Sequence, residues 1–416
     1  MGQSIDSPPA WGQFALMPLA PIPMKSAVKR AWQRRAVAPL RGKANDAPAA
    51  VPAPVTVAGL FSAVTGLAQA ARMTADGLES LGYDVRRVDV TAAIAPQLQK
   101  LNDRFDADPE TGPVIFVVNP PETLAALAFF GQSALKGRTR IGYWVYELDI
   151  APRDWTSQAD YFHHIWAPSP HAAGALKNAK IKAHMVPYPI PIWPNGLIAP
   201  EPSDIFTVIS FADTQSSLRR KNPLGSIAAF TRAFPGQDDA ALIIKLSNAD
   251  LAMPANMAAL EAACDADPRI TLNTDVLTRE NVAVLLSRCD VFLSLHRAEG
   301  YGLLVIEAML QGLDTVFTTG SSTQVFGKLK AAHMVSASPC RSDDRLYKNG
   351  AWLDPDLDEA AKALKASYAR FKSRGRDAAL RADIRRAASE TVSPQRFERY
   401  YGPILRQSGL VKVQSA

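Results

Sequence analysis

The chain has 416 residues, 47% of them apolar and 21% charged, a balance that excludes a wholly disordered protein. No apolar run approaches the roughly 18 to 20 residues needed to span a bilayer. The net charge of +6 is uneven: residues 1–50 carry seven Lys or Arg against two Asp, residues 361–416 carry 13 basic against four acidic groups, and the stretch between them bears −8, which argues against a protein-wide footprint for nucleic acid.

In chain order, residues 1–52 read as a basic tail rich in Pro and Ala. Within it Met24 to Val37 can form a short basic helix with Val28 and Trp32 on one side. Such a segment is either disordered and loosely docked, or an anchor on a membrane surface. Order is expected from Val55. The run Val55–Phe61 reads as a buried strand, Ser62-Ala-Val-Thr-Gly66 as a turn, Leu67–Leu81 as a helix and Val85–Val90 as a second strand. This βαβ order predicts a parallel sheet. Val114–Asn119, Arg140–Glu147 and His164–Ala167 continue the alternation, giving an N-terminal Rossmann-like domain over 53–190.

Six prolines between Pro187 and Pro202 exclude helix and central strand and mark a linker, placed at 191–204. A second alternation follows, with strands at Phe206–Phe211, Ala241–Leu246, Ile270–Leu272, Val291–Leu295 and Thr315–Phe317. Ile227–Phe234 and Val282–Arg288 read as helices between them. They define a second Rossmann-like domain over 205–390, leaving 391–416 as a C-terminal helix. The expected fold class is therefore α/β, two parallel-sheet domains facing each other across a ligand cleft. Three cysteines without C-x-x-C spacing predict neither a zinc site nor a disulfide framework, and fit a reducing cytosol. The N-terminus does not read as a secretory signal, and Asp6 stands where a myristoylation motif needs Ser or Thr.

Two segments carry chemistry. In Glu299-Gly-Tyr-Gly-Leu-Leu-Val-Ile-Glu307-Ala-Met, a helix starting after Gly302 would turn both carboxylates toward one cleft. The glycines would admit a ligand, and the free N–H groups at the helix start would suit phosphate. Capping and complement to the helix dipole account for the same pattern. Arg219-Arg220-Lys221-Asn222-Pro223 follows the strand ending at Phe211, where cations can neutralise a diphosphate and a departing nucleotide. A solvated turn is the alternative.

Taken together, Arg220-Lys221-Asn222-Pro223, the Glu299/Glu307 pair and the block Ser294-Leu-His296-Arg297-Ala-Glu299-Gly-Tyr-Gly-Leu resemble retaining glycosyltransferases of family four, which have the GT-B fold. Gly142-Tyr-Trp-Val-Tyr-Glu147-Leu, Ile165-Trp166-Ala-Pro-Ser169 and Trp352-Leu-Asp354-Pro-Asp356 are similar to a bacterial subgroup of polysaccharide assembly. The resemblance spans residues 55 to 410 and implies a role for each matching position. Glu307 would take the ribose hydroxyls of a UDP- or GDP-sugar, and Glu299 the hydroxyls of the donor sugar, near the backbone of Gly300 and Tyr301. Arg220 and Lys221 would grip the diphosphate together with the amides of Leu303 and Leu304, while Gly66 lets the first N-domain loop approach it. No cofactor and no obligatory metal are implied, the leaving diphosphate assisting the incoming hydroxyl.

On the acceptor side Glu147 is the candidate, with Asn119 at the place where family members often carry a histidine. Tyr143 and Trp144 suit sugar stacking and core packing equally. His163, His164, Tyr347 and Trp352 are read as packing residues. The expected function is retaining transfer of a sugar to a glycan or lipid-linked saccharide in bacterial surface or exopolysaccharide biosynthesis. A cytoplasmic enzyme is expected, peripheral on the inner face of the membrane, with the basic ends near an anionic leaflet and no nucleic-acid partner. The alternative is a non-catalytic GT-B module that binds nucleotide-sugar or glycan in an assembly complex.

Overall fold

The computed structural model describes residues 22–42, 51–120, 122–190, 198–342, 347 and 350–412. Residues 1–21 and 43–50 of the expected tail, and 191–197 of the expected linker, lie outside the described residues.

The described chain opens with α1 (Ile22–Val37). The first sheet contains β1 (Val55–Gly59), β2 (Val85–Asp89), β3 (Val114–Phe116), β4 (Arg140–Tyr143), β5 (His164–Ala167) and β6 (His184–Met185), in the order β2-β1-β3-β4-β5-β6. All its pairings are parallel. Helices cover both faces, so β1, β3 and β4 are buried along their whole length, as a parallel sheet requires. These helices are α2 (Gly66–Ser80), α3 (Thr91–Ile94), α4 (Thr123–Leu135), α5 (Thr156–Ala159) and α6 (Pro170–Asn178). Thr65 starts α2 by accepting the Ala68 amide at 3.2 Å, the ordinary chemistry of an N-cap.

The second sheet contains β7 (Phe206–Asp213), β8 (Ala240–Ser247), β9 (Ile270–Asn273), β10 (Val291–Ser294), β11 (Asp314–Thr318) and β12 (Ala332–Val335), in the order β12-β11-β10-β7-β8-β9. It too is parallel throughout. Its helices are α7 (Leu218–Lys221), α8 (Pro223–Ala233), α9 (Pro254–Asp265), α10 (Arg279–Ser287) and α11 (Leu303–Leu310). A surface hairpin, β13 (Ala337–Arg341) with β14 (Ala351–Pro355), precedes α12 (Leu357–Arg374), α13 (Ala378–Val392) and α14 (Pro394–Gln407). The strand order reverses between β7 and β10, and in the first sheet between β1 and β3. Open α/β sheets bind ligands at the carboxyl ends of the strands flanking such a reversal.

The main apolar cluster is shared by the two sheets. Val57, Ile115 and Trp166 of the first join Ile209, Phe292 and Phe317 of the second. Phe397 and Leu405 of α14 belong to the same cluster, and Trp166 Nε1 donates to Ser408 Oγ at 3.2 Å; the last helix thus returns to the first domain. Part of the expected N-terminal tail is built into that domain. Helix α1 packs on α4, Val37 and Leu40 are buried, and Arg140 Nη2 donates to the Leu40 carbonyl at 3.2 Å.

Candidate active site

Two loops at the β7/β10 reversal meet the first domain. The first leaves β7 and becomes α7, whose start is fixed by Ser217 at φ 66° with its side chain accepting the Arg220 amide. Asn222 closes α7 in the left-handed region, φ 56°, where Asn is tolerated. Its Oδ1 accepts the Gly225 amide at 3.2 Å and its Nδ2 donates to the Leu295 carbonyl at 2.9 Å. Pro223 then occupies the first turn of α8, where a missing N–H is harmless. The Asn-Pro pair therefore ties the two loops together and sets Arg220 and Lys221 beyond the carboxyl end of β7.

The second loop leaves β10 and ends at Gly302, whose φ of 93° starts α11. A Cβ there would stand 2.6 Å from Thr323 Cγ2. Within this loop Glu299 is hydrogen-bonded to Lys221. Arg220 Nη1 lies 3.7 Å from Glu299, and Arg220 Nη2 lies 3.7 Å from Glu147 of the first domain. Those separations exceed hydrogen-bond length; the guanidinium is held instead by the carbonyls of Ser216 at 3.1 Å and Ala298 at 2.7 Å. Burial works against the Glu299 charge, but Lys221, then Arg220 and His296, outweigh it and hold this carboxyl far below the usual range. Burial also opposes the charge of Arg220, 2% exposed, whereas Tyr347, Glu147 and Glu299 keep it firmly protonated.

His296 lies behind this cluster and is completely buried. Its Nδ1 is 3.0 Å from Ser294 Oγ and its Nε2 is 3.1 Å from Ser321 Oγ. Burial pushes its pKa down to about 4, with Glu299 opposing and Lys221 and Arg220 adding to the fall. The neighbouring Ser322 donates to the Glu299 carbonyl. The segment 321–323 thus braces the Glu299 loop, a role its composition does not announce.

The first domain closes over these loops. Ser169 Oγ donates to the Gly300 carbonyl at 2.9 Å, and a Cβ on Gly300 would meet Val145 Cγ2 at 2.3 Å. Glycine is required here by close approach of the first domain. Asn119 is turned to the Val145 amide at 2.9 Å, so it fixes the Glu147 loop. Tyr301 is buried edge-on to Tyr188 at 5.0 Å. Tyr143 and Trp144 are both fully buried, one in the cluster shared by the sheets and the other in a cluster of the first domain.

Glu307, 4% exposed, accepts a hydrogen bond from Gln69 Nε2 at 2.9 Å. Gln69 lies one turn into α2, the helix that Gly66 opens; a Cβ on Gly66 would touch nothing within 4 Å. Leu303 and Leu304, both half-buried, form the first turn of α11 between the Glu299 loop and Glu307. Asn248 Nδ2 donates to the Val64 carbonyl at 3.0 Å, and Lys100 pairs with Asp250 at 2.6 Å. A cleft of about 430 Å³ opens between these contacts, lined by Val64, Phe211, Lys245, Asn248, Asp275 and Val282 among others. Lys245 is 2% exposed, its Nζ donating to the carbonyls of Asp275 at 2.7 Å and Leu246 at 3.1 Å. Burial lowers its pKa against the pull of Asp275 and Asp213.

The structure therefore brings Glu299, Arg220, Lys221, Gly300 and Glu147 into one cluster. Glu307 faces the start of α2, while Asn119 and Tyr301 act through their neighbours. Gln69, Lys245 and Asn248 were not singled out from sequence. Asp-x-Asp triplets occur at 106–108, 265–267, 354–356 and 356–358. Asp108 is bonded to Arg138, Asp267 to Arg269 and Asp354 to Arg297, while Asp356 caps α12. Among the described residues no group of three His, Cys, Asp or Glu is gathered as for a metal.

No protein-family model matches the sequence, and no curated protein matches it. Solved glycosyltransferases share its architecture. HepE of Anabaena, in complex with UDP and glucose, is 11% identical, with a TM-score of 0.60 over 85% of this chain and 99% of its own. WaaG, a glycosyltransferase involved in lipopolysaccharide biosynthesis, is 12% identical, with a TM-score of 0.55 over 84% of this chain and 100% of its own. The chain spans 56% of the length of the pneumococcal O-GlcNAc transferase GtfA, at 14% identity and a TM-score of 0.49. The fold is GT-B.

Proposed function

We propose that this protein is a retaining glycosyltransferase, transferring a sugar from a UDP- or GDP-sugar to a glycan or lipid-linked saccharide in bacterial surface or exopolysaccharide biosynthesis. The observation that carries the reading is the buried Arg220, Lys221 and Glu299 cluster at the reversal of the second sheet, with Glu147 of the first domain 3.7 Å from Arg220. Two cations and a carboxylate held out of water suit a substrate with a diphosphate at one end and hydroxyls at the other. Likeness of fold to HepE, seen with UDP and glucose, and to WaaG supports the same reading.

On this reading the nucleoside base enters the cleft lined by Phe211, Lys245 and Val282. The ribose hydroxyls replace the Gln69 amide at Glu307. The diphosphate lies against Arg220, Lys221 and the first amides of α11, at Leu303 and Leu304. The sugar rests by Glu299 and Gly300, and the acceptor hydroxyl approaches from Glu147. Transfer breaks the bond between the anomeric carbon and the diphosphate oxygen and forms one to the acceptor oxygen on the same face. The acceptor proton passes to the departing diphosphate. Arg220 and Lys221 supply the charge that a metal would otherwise provide, so the reaction needs none. The protein works in the cytoplasm, against the inner face of the membrane.

Thermal melts with UDP, GDP and ADP, followed by hydrolysis of the matching sugar nucleotides, test the reading. At least one diphosphate should raise the melting temperature; no shift with any of the three refutes nucleotide-sugar binding. Glu307→Ala should weaken nucleotide affinity about 10- to 100-fold, and Lys221→Ala should lower kcat about 100-fold with little change in affinity. Unchanged turnover and affinity in both variants would overturn the site.

A further inference from the structure

The β13–β14 hairpin belongs to the second domain, yet it reaches the first. A Cβ on Gly350 would stand 2.7 Å from Leu148 Cδ1, and Tyr347 stacks on Tyr146 at 6.5 Å between centroids. Tyr347 is 7% exposed and also packs on Trp352 of β14 at 6.0 Å. The Arg220 guanidinium lies over the same tyrosine ring at 5.7 Å, within the range of a cation–π contact. One residue thus touches the first domain, its own hairpin and a buried cation of the site.

We propose that Tyr347 is a positioning residue for Arg220, covering one face of the guanidinium so that its Nη atoms stay between Glu147 and Glu299. Arg220 stands 3.7 Å from both Glu147 and Glu299, near enough to collapse onto either. With both carboxylates so close, something must hold the guanidinium in place laterally. The Ser216 and Ala298 carbonyls fix the edges at Nε and Nη1, while the Tyr347 ring, anchored on Tyr146 and Trp352, packs against one face. Without the ring, Arg220 tips onto Glu147 and its charge is neutralised before a diphosphate can use it. Because Tyr146 lies in the first domain, this placement is complete only when the domains are together.

The inference rests on the glycosyltransferase reading, and wild-type protein separates the two failures. UDP, GDP and ADP melts, with hydrolysis of the matching sugar nucleotides, are measured first; absence of any shift and any turnover removes the reading and the inference with it. Where wild type responds, Tyr347→Leu, which keeps the bulk without a π face, should lower kcat about tenfold with the donor KM within about twofold. Tyr347→Phe should restore at least half of wild-type kcat. In an Arg220→Ala background, Tyr347→Leu should cause no further loss, because its effect passes through Arg220. Wild-type kcat in Tyr347→Leu, failure of phenylalanine to rescue, or a full additional loss in the double variant overturns the assignment.

Discussion

Two buried ionisable groups share one loop and are treated oppositely by it. Glu299 keeps its charge because two cations face it, whereas His296 is driven neutral by complete burial. The histidine has a consequence for stability. Below about pH 6.5 the unfolded chain protonates this imidazole, while the folded one, with a pKa of about 4, does not. Stability therefore falls as pH drops from about 6.5 toward 4, by about 2 kcal/mol between pH 7 and pH 5 for this group. Urea unfolding at the two pH values should show that loss in wild type and a slope shallower by that amount in His296→Gln. Equal slopes would mean that His296 takes no part.

At the scale of elements, Gly302 joins the Glu299 loop to α11 under two constraints, a left-handed φ of 93° and contact with Thr323. Gly302→Ala should cost about 2 kcal/mol in denaturant unfolding; an unshifted midpoint would show that the turn relaxes freely. The start of this helix was legible because Gly-Tyr-Gly followed by an apolar run has few other uses. The central strands of both sheets were legible as apolar runs, since burial on both faces leaves no other composition, whereas the partly exposed edge strands β6 and β12 left no such run and escaped the sequence reading. The β13–β14 hairpin was not, because Ala337-Ser-Pro-Cys-Arg is polar, half-exposed and interrupted by Pro339. Gln69 was equally hidden. It meets Glu307 from 238 residues away, and only the closure of one domain on the other brings them together. Spacing within one segment reveals a helix face, but a partner on the opposite wall leaves no local signal.

For the whole molecule, the docking of α1 changes how a membrane role is to be tested. Arg30, Arg34 and Arg35 are exposed on α1, and Phe129 of the neighbouring α4 is 46% exposed. No helix among the described residues is long and apolar enough to cross a membrane. Deleting the basic end would also remove buried Val37 and Leu40 and the carbonyl that receives Arg140, so lost binding would be indistinguishable from lost folding. Replacing Arg30, Arg34 and Arg35 with Glu leaves those contacts in place. The triple variant should melt like wild type and lose flotation with phosphatidylglycerol vesicles at low salt; undiminished flotation would remove α1 from the membrane contact.

The chain passes between its sheets twice, once between β6 and β7 and again at Ser393, where α13 ends and α14 begins. Ile198 and Val392, beside the two passages, pack on the same apolar cluster. Two covalent tethers resist sliding and leave rotation about the line that joins them as the soft degree of freedom. Any such rotation has to break the non-covalent ties that close the cleft, Gln69 with Glu307 and Asn248 with Val64, whereas the two tethers stay intact.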